Sequence, residues 1–274
     1  MRRVIEKYWD VPGIDLSYQF TTSAEDGMSK AERAVKNNVD TILVVGGDGT
    51  ISTVGRVLVG TDVSLGVIPR GSGNGFARHC GIPMGLNEAV KSLATAKVRS
   101  IDVGVVNKQY FFVTCSMAWD AAFVKSFEKS PMRGILPYIF AGVHEFLQYK
   151  AQDISVKINS DPGETFKNPM VFTIANMTQF GGGAKIAPHA EADDGLLELV
   201  VVLQQDVALV VTQINKLFNG SLNRIPAVQT RQFRTMKIYR SNPTPIQVDG
   251  ELSDAPKEIN ISIIPAALKV LFPG

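Results

Sequence analysis

The chain has 274 residues, 45% hydrophobic and 20% charged, with two cysteines and a formal net charge of +2. Such an apolar fraction builds a buried core and excludes disorder as the main state, and the length leads us to expect two domains. No apolar run approaches the roughly 18 residues that cross a bilayer, residues 1–10 are too charged for a secretion signal, and the near-zero charge gives no basis for general nucleic-acid binding.

These features predict a soluble cytosolic protein that does not bind nucleic acid. Cys80 and Cys115 lie in apolar segments without metal-ligand spacing and read as buried thiols. In chain order, a capping-box pattern from Ser23 to Asp26 opens a helix marked by Met28, Ala31, Ala34 and Val35. Thr41 to Val45 reads as a buried strand, Ile51, Val54, Val57 and Leu58 as a helix, and Ser64 to Pro69 as a second strand. Leu86, Ala89, Val90, Leu93 and Ala94 form an apolar helical stripe. Strands alternating with helices imply a parallel sheet covered on both faces.

From about residue 100 the pattern changes. Residues 100–107, 109–117, 154–159, 170–175, 196–203, 227–240, 245–248 and 259–264 are β-rich, with helical patterns at 120–150 and 206–218. Many strands separated by turn residues predict an antiparallel sandwich or barrel. The expected organisation is therefore an α/β domain over 1–103 and a β-rich domain over 104–274. No internal repeat or low-complexity tract occurs.

Two glycine clusters carry the chemistry. Gly46-Gly47-Asp48-Gly49-Thr50 joins the first strand to the next helix, and Pro69-Arg70-Gly71-Ser72-Gly73-Asn74-Gly75-Phe76-Ala77-Arg78 follows the second strand. Ligands of parallel sheets bind beyond the carboxyl ends of the strands, where glycines let backbone N–H groups approach phosphate. Two such loops at one sheet edge make a nucleotide site. Asp48 beside phosphate makes sense as a metal partner or proton acceptor; the plainer reading is a tight turn with Asp48 as a helix cap. Neither loop fits the Walker or dinucleotide fingerprint.

With Trp119-Asp120-Ala121, the stretch from Ala175 to Pro188, Asp193-Asp194-Gly195-Leu196 and Val248-Asp249-Gly250-Glu251, these motifs resemble the diacylglycerol kinase and sphingosine kinase catalytic-domain family, in its soluble bacterial lipid kinase branch. The resemblance spans nearly the whole chain. It implies an ATP- and Mg²⁺-dependent transfer of phosphate to a lipid hydroxyl, on a nucleotide domain of NAD-kinase and diacylglycerol-kinase type joined to a β-rich lipid-binding domain.

By that resemblance Gly46, Gly47, Asp48, Gly49, Thr50, Ile51, Ser52 and Thr53 line the ATP phosphates, with Thr21, Gly71, Ser72, Gly73 and Asn74 completing the nucleotide contacts. Glu251 becomes the proton acceptor and Asp249 its acidic neighbour, whose side chains project to the same side if the segment is extended; Asp-Gly is equally a hairpin signal. A structural Mg²⁺ is implied at the Asp194 carboxylate and main-chain oxygens near Glu191 and Leu196, where an exposed turn is the plainer reading. Asp120 joins an acidic network with Asp48, or caps the helix that follows it.

Other features are less specific. Residues 207–248 contain no Asp or Glu but include Lys216, Arg224, Arg231, Arg234, Lys237 and Arg240, which read either as a surface for an anionic membrane, at the inner face, or as a solvated strand face. The stretch Trp119 to Tyr138, with Phe123, Phe127, Met132 and Leu136 among Lys125, Lys129 and Arg133, suits an acyl-chain mouth or the core. His144-Glu145 lacks the second histidine of a zinc protease, since Gln148 stands there. The family makes a homodimer an expectation.

The chain also departs from the family. It has no counterpart of the family's first strand and Asn-Pro-x-Ser-Gly loop, which leaves two readings: a truncated or mis-assigned start, or a nucleotide domain that lacks that strand and part of its nucleotide site. Ser52-Thr53 replaces Asn-Glu, and Ser116 and Ala118 stand where glycines are usual. An NAD kinase and a catalytically silent lipid- or nucleotide-binding protein are the alternative readings.

Overall fold

The computed structural model describes residues 1–118, 152–203 and 207–274. The chain divides into two units: Met1–Val103 with Gly181–Gly183 and Pro265–Gly274, and Gly104–Phe180 with Ala184–Ile264. No helix among the described residues is long and apolar enough to cross a membrane.

In the first unit, helices α1 (Arg2–Trp9) and α2 (Ala24–Lys36) precede strand β1 (Thr41–Gly46), helix α3 (Asp48–Leu58) and strand β2 (Ser64–Pro69). Helices α4 (Gly75–His79) and α5 (Leu86–Ala94) follow. Ser23 caps α2 by accepting from the Asp26 N–H at 3.2 Å, whereas the Asp26 carboxylate reaches Thr22, not Ser23, so only half of the capping box forms. β1 and β2 are parallel in register from Thr41↔Ser64 to Gly46↔Pro69. Such pairing needs a crossover, which α3 supplies. All of β2 is buried, as its unbroken apolar run requires of a strand covered on both faces. The Trp9 indole N–H donates to the Val90 carbonyl at 3.2 Å, tying α1 to α5.

The last strand, β14 (Glu258–Phe272), changes unit within its length. Its end runs parallel to β2 at Val270↔Leu65, with Leu268 and Val270 fully buried. The expectation placed these residues in the second domain; their apolar pattern fits either position, and only pairing with β2 distinguishes them.

The second unit is an antiparallel sandwich. One sheet runs β10 (Val228–Phe233), β9 (Leu197–Val202), β8 (Val171–Ala175), β5 (Thr114–Ser116), β12 (Ile246–Val248), β13 (Glu251–Ser253). In the facing layer β11 (Thr235–Arg240) lies between β6 (Ile154–Ile158) and the start of β14, with β7 (Glu164–Phe166) on β6. β3 (Lys97–Val106) ends in a hairpin with β4 (Gln109–Phe111). Phe172, Ile174, Leu197, Leu199 and Val201 point into the core between the layers, with Ile238 and Ile259 opposite. The alternate residues Val171, Ala175, Val200 and Val202 meet a second cluster with Ile186 and Leu222. Thus β8 and β9 are buried on both faces.

The basic segment does not form one free face. Arg231 pairs with Asp161 and Glu164, while Arg240 is buried and donates to Thr244 and the carbonyls of Ala255 and Pro256. Helix α6 (Val207–Asn219) accounts for its opening residues. Both cysteines are buried, and burial pushes the Cys80 thiol up.

Candidate active site

Backbone meets backbone where the two glycine loops leave β1 and β2. The ladder extends one residue past the strands through Arg70 N–H to the Gly46 carbonyl at 2.8 Å. A Cβ on Gly71 would stand 2.6 Å from the Gly47 Cα, and one on Gly47 would stand 2.9 Å from the Gly71 Cα. Any side chain there would separate the loops, so the requirement is for close approach.

Asp48 joins the loops. Its carboxylate accepts from the N–H groups of Gly75 and Phe76, each at 3.1 Å, and thereby caps α4 from a distant part of the chain. Asn74 sits at φ 51° and closes the second loop on itself: its Oδ1 accepts from the Gly71 N–H at 2.9 Å and its Nδ2 donates to the Gly71 carbonyl at 2.8 Å. Asp48 and Asn74 are thus spent on shaping the loops. Gly49 and Thr50 lie in the first turn of α3, where backbone N–H groups lack intrahelical acceptors.

The remaining first-loop residues divide. Ile51 and Ser52 are buried, so their side chains face away from solvent at the loop. The Ile51 N–H is itself used, donating to the Gly47 carbonyl at 3.1 Å. Thr53 Oγ1 donates to the Gly49 carbonyl at 2.9 Å. A Cβ on Gly27 would lie 3.6 Å from Thr21 Cγ2 and 3.9 Å from Thr53 Cγ2, so α2 brings Thr21 beside the first loop's helix. Gly71 and Ser72 are exposed.

In the second unit, Asp249 and Gly250 are the two central residues of the β12–β13 hairpin, at φ 50° and 91°, with Val248 paired to Glu251. This is the mirror-image turn that Asp-Gly favours. The segment is not extended, so the same-side argument for Asp249 and Glu251 does not hold. Asp249 is instead buried, and its oxygens accept from the N–H groups of Phe112 at 2.8 Å, Val113 at 2.8 Å and Thr114 at 3.2 Å. Glu251 opens β13 and is exposed.

The expected metal ligands lie on the turn before β9. Asp194 Oδ1 accepts from the Leu196 N–H at 2.9 Å, a local turn over Asp194–Leu196. Among the described residues no group of three or more His, Cys, Asp or Glu side chains could hold a metal ion. A hard cation here would therefore rely on Asp194 and main-chain oxygens, a donor set that suits Mg²⁺. Asp120 and the stretch Trp119 to Tyr138 lie outside the described residues.

The Ala175 to Pro188 stretch carried part of the resemblance, but the expectations gave it no place at the site. Gly181–Gly183 belongs to the first unit and lies against the second glycine loop, the Gly182 N–H donating to the Gly73 carbonyl at 2.9 Å. The sequence signal for it was three consecutive glycines within a strand-rich region.

Residues 2–106 match the diacylglycerol kinase catalytic domain, and residues 114–272 match the YegS C-terminal NAD kinase beta sandwich-like domain. The chain is 26% identical to a Yersinia enterocolitica protein named "Probable lipid kinase YegS-like", over 95% of this chain and 88% of that one. It is also 26% identical to a Mycobacterium tuberculosis protein named diacylglycerol kinase, over 95% of this chain and 86% of that one. Its fold is similar to the crystal structure of a diacylglycerol kinase from Bacillus anthracis, with a TM-score of 0.73 at 18% identity, covering 98% of this chain and 91% of the other. An NAD kinase from Archaeoglobus fulgidus, crystallised with ATP, is more distant, with a TM-score of 0.54 at 13% identity over 100% of this chain and 89% of the other. With matching profiles on both units and relatives aligned along most of its length, the chain belongs to the diacylglycerol kinase catalytic-domain family, in its YegS-like lipid kinase branch.

Proposed function

We propose that this protein is an ATP-dependent lipid kinase that transfers the γ-phosphoryl group to the hydroxyl of a diacylglycerol-like or sphingoid acceptor. The observation that carries this reading is the pair of glycine loops at the ends of adjacent parallel strands, locked together by Asp48. Phosphoryl transfer is mostly positioning and charge neutralisation. Loops without side chains present N–H groups to the phosphates at short range, and the start of α3 adds its unsatisfied donors. Thr21 and Ser72 supply hydroxyls for the nucleotide.

In the reaction the bond from the γ-phosphorus to the bridging oxygen breaks, the acceptor oxygen bonds to phosphorus, and the hydroxyl proton passes to Glu251. Glu251 suits that task because its carboxylate is exposed, while Asp249 fixes the hairpin that presents it. Asp48 and Asp249 act as positioning residues. Bound Mg²⁺ supplies charge neutralisation for the phosphates; Asp194 and the carbonyls of Glu191 and Leu196 would hold a structural ion. The acceptor lipid would be reached from a membrane surface at the cytoplasmic face. The names of the relatives support the lipid as acceptor.

The test is transfer of labelled phosphate from ATP, with Mg²⁺, to a panel of diacylglycerol, phosphatidylglycerol, sphingoid bases and NAD. Label in a lipid is expected; label in NADP, or none in any acceptor, would overturn the proposal. Glu251→Gln is expected to keep the fold by circular dichroism and lose turnover by roughly two orders of magnitude or more. Near-normal turnover would exclude Glu251 as the base.

A further inference from the structure

The triple glycine Gly181–Gly183 is not used by the mechanism above, yet it is the one segment between β8 and β9 that belongs to the first unit. All three residues have positive φ, at 128°, 61° and 90°. The Gly73 carbonyl is held from two sides, by the Gly182 N–H at 2.9 Å and by Arg78 Nε at 3.2 Å. A Cβ on Gly181 would stand 3.0 Å from the Gly73 Cα and 3.2 Å from its carbonyl carbon. A Cβ on Gly73 would in turn stand 3.2 Å from Asp48 Oδ2. Gly182 and Gly183 have open space where a Cβ would lie, so there the need is for backbone conformation alone.

These contacts run from Gly181 through Gly73 to Asp48, the residue that locks the two glycine loops. The second loop needs such support. Gly71 and Ser72 are exposed, and a glycine-rich segment has more conformational freedom to lose on binding than any other. Fixing the Gly73 carbonyl from outside removes part of that loss before the ligand arrives.

We infer that Gly181–Gly183 is a third loop of the nucleotide site, a positioning element that sets the course of Gly71–Asn74 and so the affinity for the phosphates of ATP. This rests on the nucleotide reading proposed above. Because the support acts before and throughout the reaction, its loss weakens nucleotide binding while leaving the chemical step largely intact.

The experiment measures binding of MgATP to the full chain by calorimetry, together with KM for ATP, kcat and the melting temperature. Gly181→Ala is expected to weaken MgATP binding about tenfold and raise KM in step, with kcat changed by less than about twofold. Gly60→Ala is the control. Gly60 also has a positive φ, 74°, and open space for a Cβ, but lies outside the glycine loops; this variant should lower the melting temperature and leave MgATP binding unchanged. Unchanged binding in folded Gly181→Ala, or an equal loss in Gly60→Ala, would overturn the inference. Hydrogen exchange of the wild-type chain keeps the question answerable if Gly181→Ala fails to fold. MgATP should slow exchange in peptides covering both 71–76 and 181–183, and protection confined to 71–76 would refute the third loop. A wild-type chain that binds no MgATP overturns the nucleotide reading itself, whereas normal wild-type binding with an indifferent Gly181→Ala overturns this inference alone.

Discussion

At the scale of single residues, the carboxylates and amides of the motifs are largely engaged with backbone. Asp48 takes two N–H groups, Asp249 takes three, and Asn74 spends both ends of its amide on Gly71. Buried polar atoms need partners, and turns or helix starts leave backbone donors that a short acidic side chain can satisfy. Glu198 is the contrasting case. It is 6% exposed and its Oε2 has no hydrogen-bond partner. Burial raises its pKa, His189 opposes that shift and Asp194 adds to it. The folded state then binds this proton more tightly than the unfolded chain does. The associated stability is full below the ordinary glutamate pKa and is lost as pH rises through the raised folded value. Glu198→Gln should therefore melt above the wild type at pH 8, with the difference shrinking towards pH 4. Thermal melts at the two pH values check this, and a difference independent of pH would refute it.

At the scale of elements, the helices and strands around the glycine loops were legible because each is a run of one period bounded by turn residues. Residues 41–45 and 64–69 became β1 and β2, and the 86–94 stripe became α5. The β-rich half was legible as strand but not as pairing. The run 109–117 divides into β4 and β5, and 227–240 into β10 and β11, with each half in a different layer. Alternation specifies which face is apolar and carries no information on where a strand changes layer. Close cross-strand fits are equally invisible before pairing is known. Gly104 lies opposite Phe111, and a Cβ there would stand 2.2 Å from the ring's Cζ. Phe111 is fully buried. Gly104→Ala should cost about 1–3 kcal/mol in urea unfolding. Shortening the partner with Phe111→Leu should recover part of it, and additive losses would show that the two residues are not in contact.

At the scale of the whole molecule, the order of the chain and the membership of its units differ. The chain returns at its end to complete the first unit, through Val270 beside Leu65 and the burial of Leu268 and Leu271. A chain ending at Ile264 should lose the cooperative melting of the first unit and become rapidly cleaved by trypsin within residues 1–103. The sandwich should stay resistant, and unchanged proteolysis across 1–103 would refute the dependence. By itself the sequence determined the two-part organisation, the strand–glycine–helix loops and the family, because those are written in local periodicity and in short motifs of fixed spacing. Only the tertiary structure decided that Asp48 caps α4, that Asp249 holds the start of β5, that the final strand belongs beside β2, and that Gly181 rests on Gly73. Each of these is a contact between residues far apart in the chain, where the partner's identity leaves no trace in the local pattern of either side.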